Sequence, residues 1–111
     1  MRIDESKHGA VTVLRLCGSI CLDDAELLRA SLTSTLDRTF GRFVIDLSGA
    51  TFLDSRALEV LVETNDKLSG RGQSLRVCGV NVTLAEVFDL TGVGQQLDRH
   101  DDVVSAVRSF L

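Results

Sequence analysis

A strand pattern that leads into a helix pattern, between residues 43 and 69, constrains the fold of this chain most. The apolar run that opens residues 43–47 predicts a buried strand. Apolar residues then recur at spacings of three and four over residues 56–69, which predicts an amphipathic helix. A glycine-rich turn at residues 70–72 leads into a second strand over residues 74–78. A strand, a helix and a strand in this order predict a parallel crossover unit.

The patterns on either side of this unit continue the alternation of strands and helices. They are a hairpin over residues 2–6 and 11–17, a helix whose apolar stripe runs from Leu22 to Leu36, a short helix from Asn81 to Leu90, and a last helix from Asp101 or Asp102. We therefore expect an α/β fold in which a mixed sheet of about four to five strands is packed against about four helices. Because the chain has no proline, repeat or low-complexity segment, residues 1–111 are expected to form one domain.

The charge and composition of the chain disfavour several classes of function. The formal net charge is -4 and neither tryptophan nor tyrosine occurs, so we do not expect binding to nucleic acid. No apolar run is long enough to cross a membrane. The first eight residues lack the apolar core of a signal peptide. These features predict a cytoplasmic protein that is not inserted in a membrane.

The three cysteines, Cys17, Cys21 and Cys78, are expected to be reduced thiols. Their odd number and apolar surroundings fit free thiols better than a disulfide framework. Together with His8 and His100 they do not form any spacing typical of metal ligands. We therefore predict no metal ion and no other cofactor.

Asp54 and Ser55 stand at the boundary between the first strand of the crossover unit and its helix, where capping residues are expected. A hydroxyl group there lies near the free N–H groups and the positive end of the helix. A phosphate on it would meet local donors and would add about two negative charges to the surface. Local sequence alone leaves two interpretations open, a helix cap and a phosphorylation switch.

Four segments of the sequence carry a family resemblance. They are residues 43–55 followed by Leu58, Leu14–Ile20, Gly72–Gly79 and Val87–Gly92. The first, Phe43-Val44-Ile45-Asp46-Leu47-Ser48-Gly49-Ala50-Thr51-Phe52-Leu53-Asp54-Ser55, resembles the signature of STAS domains, specifically the bacterial anti-sigma factor antagonists. The resemblance extends over the whole chain and implies a STAS-type fold.

This resemblance also implies a function in partner switching, without catalysis by the chain itself. In that family the serine after the aspartate, here Ser55, is phosphorylated by a partner kinase that is also an anti-sigma factor. The unphosphorylated antagonist binds the kinase and frees a sigma factor, and a phosphatase reverses the modification. The expected site therefore has Ser55 as phosphoacceptor and, as contacts with the partner, Asp54, Arg56, Ala57, Glu59, Glu63 and Asp23.

The chain departs from the family pattern directly after the serine, where Arg56-Ala57 replaces a small hydroxyl residue followed by glycine. Arg56 could pair with Asp54 or with a phosphate on Ser55. Ala57 adds a methyl group where glycine would permit close approach of another backbone. This departure keeps open a second function, an accessory subunit that docks on the ATPase of a lipid-transporting ABC system without phosphate control.

Two further alternatives are weaker. An enzyme with Ser55 as nucleophile lacks the Gly-x-Ser-x-Gly motif, and neither histidine is tied to the serine by sequence. A receiver domain with Asp46 as its phosphorylated aspartate would need an acidic pair after the first strand and a later lysine, which this sequence lacks. We therefore expect a binding module and not an enzyme.

Overall fold

The fold is built on one five-stranded mixed sheet, and the computed structural model describes all residues from Met1 to Leu111. The strands are β1 (Arg2–His8), β2 (Val11–Ile20), β3 (Phe43–Leu53), β4 (Arg76–Cys78) and β5 (Asp98–His100). The helices are α1 (Asp24–Thr39), α2 (Ser55–Ser69), α3 (Val82–Thr91), α4 (Val93–Gln96) and α5 (Val103–Arg108). None of these helices has the length and apolar character that a bilayer crossing requires.

The strands lie side by side in the order β1-β2-β3-β4-β5. β1 and β2 form an antiparallel hairpin, and every other neighbouring pair is parallel. The predicted mixed α/β sheet with a crossover unit is thus confirmed. The carboxyl ends of β2 and β3 meet at one edge of the sheet, where the polypeptide leaves β3 and enters α2.

Apolar side chains are buried on both faces of the sheet. The larger cluster joins one sheet face to α1, α2 and α3 through residues such as Leu14, Leu28, Ile45, Leu61 and Phe88. The smaller cluster lies on the other face under α5, and it consists of Val11, Val13, Val44, Cys78 and Ala106. Burial of this much apolar surface supplies the main driving force for folding.

The largest error of the sequence-based boundaries concerns β3, which continues to Leu53 instead of ending at residue 47. Ser48-Gly49 looks like a turn, but the chain stays extended because Gly49–Leu53 pairs with the second half of β2. A register shift between Arg15 and Cys17 lets the two strands keep their pairing. The segment predicted to be a loop is therefore a strand that carries Ser55 to the edge of the sheet.

Two short elements have no counterpart in the sequence-based prediction. β5 consists of Asp98–His100, a polar segment that becomes a strand only because it pairs with β4. α4 follows directly on α3, and Gly92, with a left-handed backbone, joins the two helices. The apolar pattern includes Leu22 in the stripe of the first helix, but that helix begins at Asp24 and Leu22 is 75% exposed.

The end of α1 shows an unusual backbone conformation. Phe40 follows the last helical residue with φ 54°, in the left-handed region that disfavours residues with a Cβ atom, and its side chain is 77% exposed. Glycine or asparagine is the usual residue at this position of a helix end. The native phenylalanine therefore costs stability here.

We expect Phe40→Gly to be more stable than Phe40→Ala by about 1 kcal/mol, because only glycine removes the left-handed strain. Both variants lose the same aromatic ring, so the comparison isolates the backbone term. Urea denaturation of the two purified variants measures the difference. Equal free energies of unfolding would show that the helix end relaxes around a β-carbon.

Candidate functional site

The candidate site begins where β3 ends and α2 begins. Asp54 is the N-cap of α2, with an extended backbone, and its Oδ1 accepts a hydrogen bond of 2.9 Å from the Ala57 backbone N–H. Ser55 is the first residue of the helix and is exposed. Since Asp54 supplies the cap, the Ser55 hydroxyl group is left free for other chemistry. Asp54 therefore acts as the helix cap, and Ser55 is the residue to which the phosphorylation interpretation applies.

The other carboxylate oxygen of Asp54 holds the loop between β2 and α1. Its Oδ2 accepts a hydrogen bond of 2.9 Å from the backbone N–H of Leu22, and the Asp54 N–H donates to the Ile20 carbonyl oxygen at 3.1 Å. Leu22 has φ 56°, so its strained backbone is fixed by this contact. Asp54 therefore positions two segments that are distant in sequence, the Leu22 loop and the start of α2.

Hydrogen bonding lowers the pKa of Asp54 below its ordinary value. The largest cause is the Ala57 N–H, and the Leu22 N–H and the nearby positive charge of Arg56 act in the same direction. A carboxylate with a lowered pKa stabilises the fold fully above its unfolded-state pKa. That contribution is lost as the pH falls through the lower pKa of the folded state.

We expect Asp54→Asn to lower the melting temperature by a few degrees at neutral pH. Asparagine can still cap α2, but its amide nitrogen cannot accept the Leu22 hydrogen bond. In acid, as the pH falls through the lowered pKa of the native Asp54 carboxyl group, the two proteins should melt at closer temperatures. Thermal unfolding at both pH values measures this convergence. A difference that is equally large in acid would contradict the assigned function of the carboxylate.

A shallow groove extends from Ser55 along α2. It has a volume of about 350 Å³ and lies between α2 and the joint of α3 and α4. The residues that line it are Ser55, Leu58, Glu59, Val62, Glu63, Thr91 and Val93. Its surface combines apolar side chains with two carboxylates, which suits a protein segment that carries apolar and basic groups.

The structure brings most of the predicted contact residues to this end of the molecule. Arg56 and Glu59 are exposed on the first turns of α2, and Asp23 is exposed at the N-cap of α1. Glu63 is already engaged, because its carboxylate accepts hydrogen bonds of 2.9 and 3.3 Å from the Arg29 guanidinium of α1. Its charge is therefore partly neutralised before any partner arrives.

The expectation for Ala57 needs a correction. Its side chain is completely buried in the core under α2, so the methyl group is not available to a partner. The substitution for glycine affects the packing of the first helical turn and not the docking surface. This placement leaves Arg56 as the departure from the family pattern that a partner would meet.

Two exposed apolar residues lie near the site. Leu22 is held beside Asp54, and Phe52, three residues before Ser55, is 47% exposed. The only signal in the sequence is the apolar character of Leu22 and Phe52 next to polar residues, which also fits a core position. These two side chains add exposed apolar surface to the end of the molecule that carries Ser55.

Comparisons with known proteins match nearly the whole chain. A family model described as STAS domain matches residues 2–106. An anti-sigma F factor antagonist of Paenibacillus polymyxa is 23% identical over 108 residues, which cover 96% of this chain and 92% of the relative.

Solved structures show the same fold. An anti-sigma factor antagonist from Mycobacterium paratuberculosis superposes with a TM-score of 0.86 at 24% identity, covering 97% of this chain and 92% of that one. The Bacillus cell fate determinant SpoIIAA in its phosphorylated form superposes with a TM-score of 0.72 at 16% identity, covering 99% of this chain and 100% of that one.

Proposed function

The chain belongs to the STAS domain family, and we propose that it is an anti-sigma factor antagonist controlled by phosphorylation of Ser55. The observation that carries this proposal is the exposed Ser55 hydroxyl group, which is free of the capping role and stands at the end of a groove on α2. The names of the Paenibacillus polymyxa relative and of the phosphorylated SpoIIAA structure support the same function.

In the proposed mechanism the unphosphorylated chain binds an anti-sigma factor that is also a serine kinase, so that a sigma factor is released. The kinase brings its own catalytic aspartate and metal-bound nucleotide, and this chain provides the acceptor hydroxyl and the docking surface. A phosphatase removes the phosphate and restores binding. The chain is thus a cytoplasmic binding module and not an enzyme.

Electrostatics explain why a phosphate on Ser55 would dissociate the complex with the kinase. A phosphoserine adds a charge of about -2. The Asp54 carboxylate next to it already occupies the N–H groups of Ala57 and Leu22, so these donors are not free to neutralise the phosphate. Arg56 is the neighbouring cation and could compensate for part of the charge. Burial of the remaining charge against a partner costs free energy, and no large refolding is needed.

The proposal can be tested by affinity capture with three baits, the native chain, Ser55→Ala and Ser55→Asp. We expect the native chain and Ser55→Ala to capture a serine kinase that also binds a sigma factor, and Ser55→Asp to lose it. The captured kinase, purified and supplied with ATP, should then phosphorylate the native chain.

Capture of a membrane-associated ATPase by all three baits would instead support the accessory subunit of a lipid-transporting ABC system. The same set of proteins on every bait, without a kinase, would remove the basis for phosphate control. Hydrolysis of a generic ester that Ser55→Ala abolishes would identify an enzyme.

A further inference from the structure

A second cavity lies at the end of the sheet opposite Ser55. It has a volume of about 740 Å³ and is formed by the turn between β1 and β2, the end of α1, and Arg42 and Gln73. Arg42 directly precedes β3, whereas Ser55 follows two residues after that strand ends. The length of β3, 11 residues, therefore separates this cavity from the candidate switch.

The lining of this cavity is positively charged although the whole chain has a net charge of -4. Lys7, Arg38 and Arg42 line it, and no aspartate or glutamate does. Arg38 donates a hydrogen bond of 2.9 Å to Glu5, whose pKa is lowered mainly by Arg38 and, more weakly, by Lys7. The Glu5 carboxylate thus partly neutralises two of the three cations, Arg38 and Lys7. Arg42 and Lys7 form no salt bridge, so the lining keeps a net positive charge that a bound anion would neutralise.

The rim of the same cavity carries an exposed aromatic ring. Phe40 is one of the lining residues, and it is the phenylalanine with the strained left-handed backbone described above. A left-handed residue commonly ends a helix, but here it is a phenylalanine whose ring is exposed at the cavity instead of being packed in the core. The ring offers a flat surface beside the cationic groups.

We infer that this cavity binds a small phosphate-bearing ligand that also has a planar apolar group. Guanidinium groups bind phosphate through paired N–H donors, and the lysine ammonium adds a point charge. Three cations less the Glu5 carboxylate leave a charge of about +2, which favours a ligand with two negative charges over a singly charged one. The planar group would rest on the Phe40 ring. The volume is within the range of small-molecule sites.

The test is a titration of the native chain with phenyl phosphate, followed through the backbone amide signals of Gly9, Ala10 and Arg42. We expect these signals to shift together. Phenyl phosphate should bind at least about threefold more tightly than phenyl sulfate, which has one charge, and than inorganic phosphate, which has no ring. Simultaneous shifts over the whole surface, or none at all, would overturn the inference.

Substitutions define the site further. Arg42→Gln and Lys7→Gln should each weaken the binding of phenyl phosphate by about threefold to tenfold. Lys67→Gln is the matched control, since Lys67 is an exposed cation on α2 outside the cavity and its loss changes the net charge equally. Phe40→Ala should weaken phenyl phosphate binding without affecting inorganic phosphate. Equal weakening by Lys67→Gln would show that only the overall charge matters.

Two controls distinguish binding in this cavity from an effect of the Ser55 switch and from attachment to a lipid surface. Ser55→Asp should bind phenyl phosphate as the native chain does, so that failure of the switch and failure of this site are distinguishable. Flotation with phosphatidylcholine vesicles, with and without phosphatidic acid, shows whether the phosphate can come from a lipid headgroup. Flotation that depends on phosphatidic acid and that Arg42→Gln abolishes would identify a lipid headgroup as the source of the phosphate. Binding of phenyl phosphate without flotation of the protein would identify a soluble ligand.

Discussion

Ser55→Asp should weaken binding of the kinase partner by at least about tenfold, while Ser55→Ala should remain within about threefold of the native chain. The aspartate places a second carboxylate beside Asp54 at the end of the groove, where a partner must exclude water. Alanine removes only a hydroxyl group that does not cap the helix. Isothermal titration calorimetry with the purified partner gives the three dissociation constants.

Ser69→Asp provides the matched control for this comparison. Ser69 is exposed at the opposite end of α2, so the substitution adds the same charge to the same helix far from the groove. Its dissociation constant should remain close to the native value. If Ser69→Asp weakens binding as much as Ser55→Asp does, the partner responds to the net charge and the location of Ser55 is irrelevant.

Gly79→Ala should lower the free energy of unfolding by about 3 kcal/mol, the largest change in stability that we predict for a single methyl group. Gly79 follows β4 with φ 69°, and a β-carbon there would lie 2.8 Å from Asp46 Oδ1 and 2.9 Å from the Ser48 backbone nitrogen. The backbone strain and the clash act together. β3 cannot move away without loss of sheet pairing, and the buried Asp46 side chain cannot move without loss of the hydrogen bond that its Oδ1 accepts from the Ser48 N–H.

Gly72→Ala separates the two contributions. Gly72 has a similar φ of 73°, but a β-carbon there meets no atom within 4 Å. We therefore expect a cost of about 1 kcal/mol, from backbone strain alone. Urea denaturation of both variants measures the difference. Equal costs at the two positions would mean that β3 yields to the added methyl group.

Features that depend on neighbouring residues along the chain, such as helix spacing and helix caps, can be predicted from the sequence. The spacing of Leu58, Leu61 and Leu68 indicates α2, and the capping preference of aspartate places Asp54 and Ser55 at its start. The predicted start of this helix agrees with the structure within one residue. The fold class follows from the order of such segments.

Features that depend on distant residues could not be predicted. Gly49–Leu53 is a strand because it pairs with β2. The local sequence, with its serine and glycine, does not indicate this pairing. The burial of Ala57 and the exposure of Leu22 depend on packing between elements. The basic cavity likewise combines Lys7, Arg38 and Gln73, which are far apart along the chain.

The most direct test of the switch is to incubate the native chain with ATP and the captured kinase, and to map the phosphate by mass spectrometry. We predict one phosphate, on Ser55, and loss of stable kinase binding by the modified chain. Amide signals should change around Leu22 and at the start of α2, while those of the rest of the sheet remain. Phosphate on Ser48 or Thr51 instead, or a Ser55-phosphorylated chain that still binds the kinase with native affinity, would contradict the proposed switch.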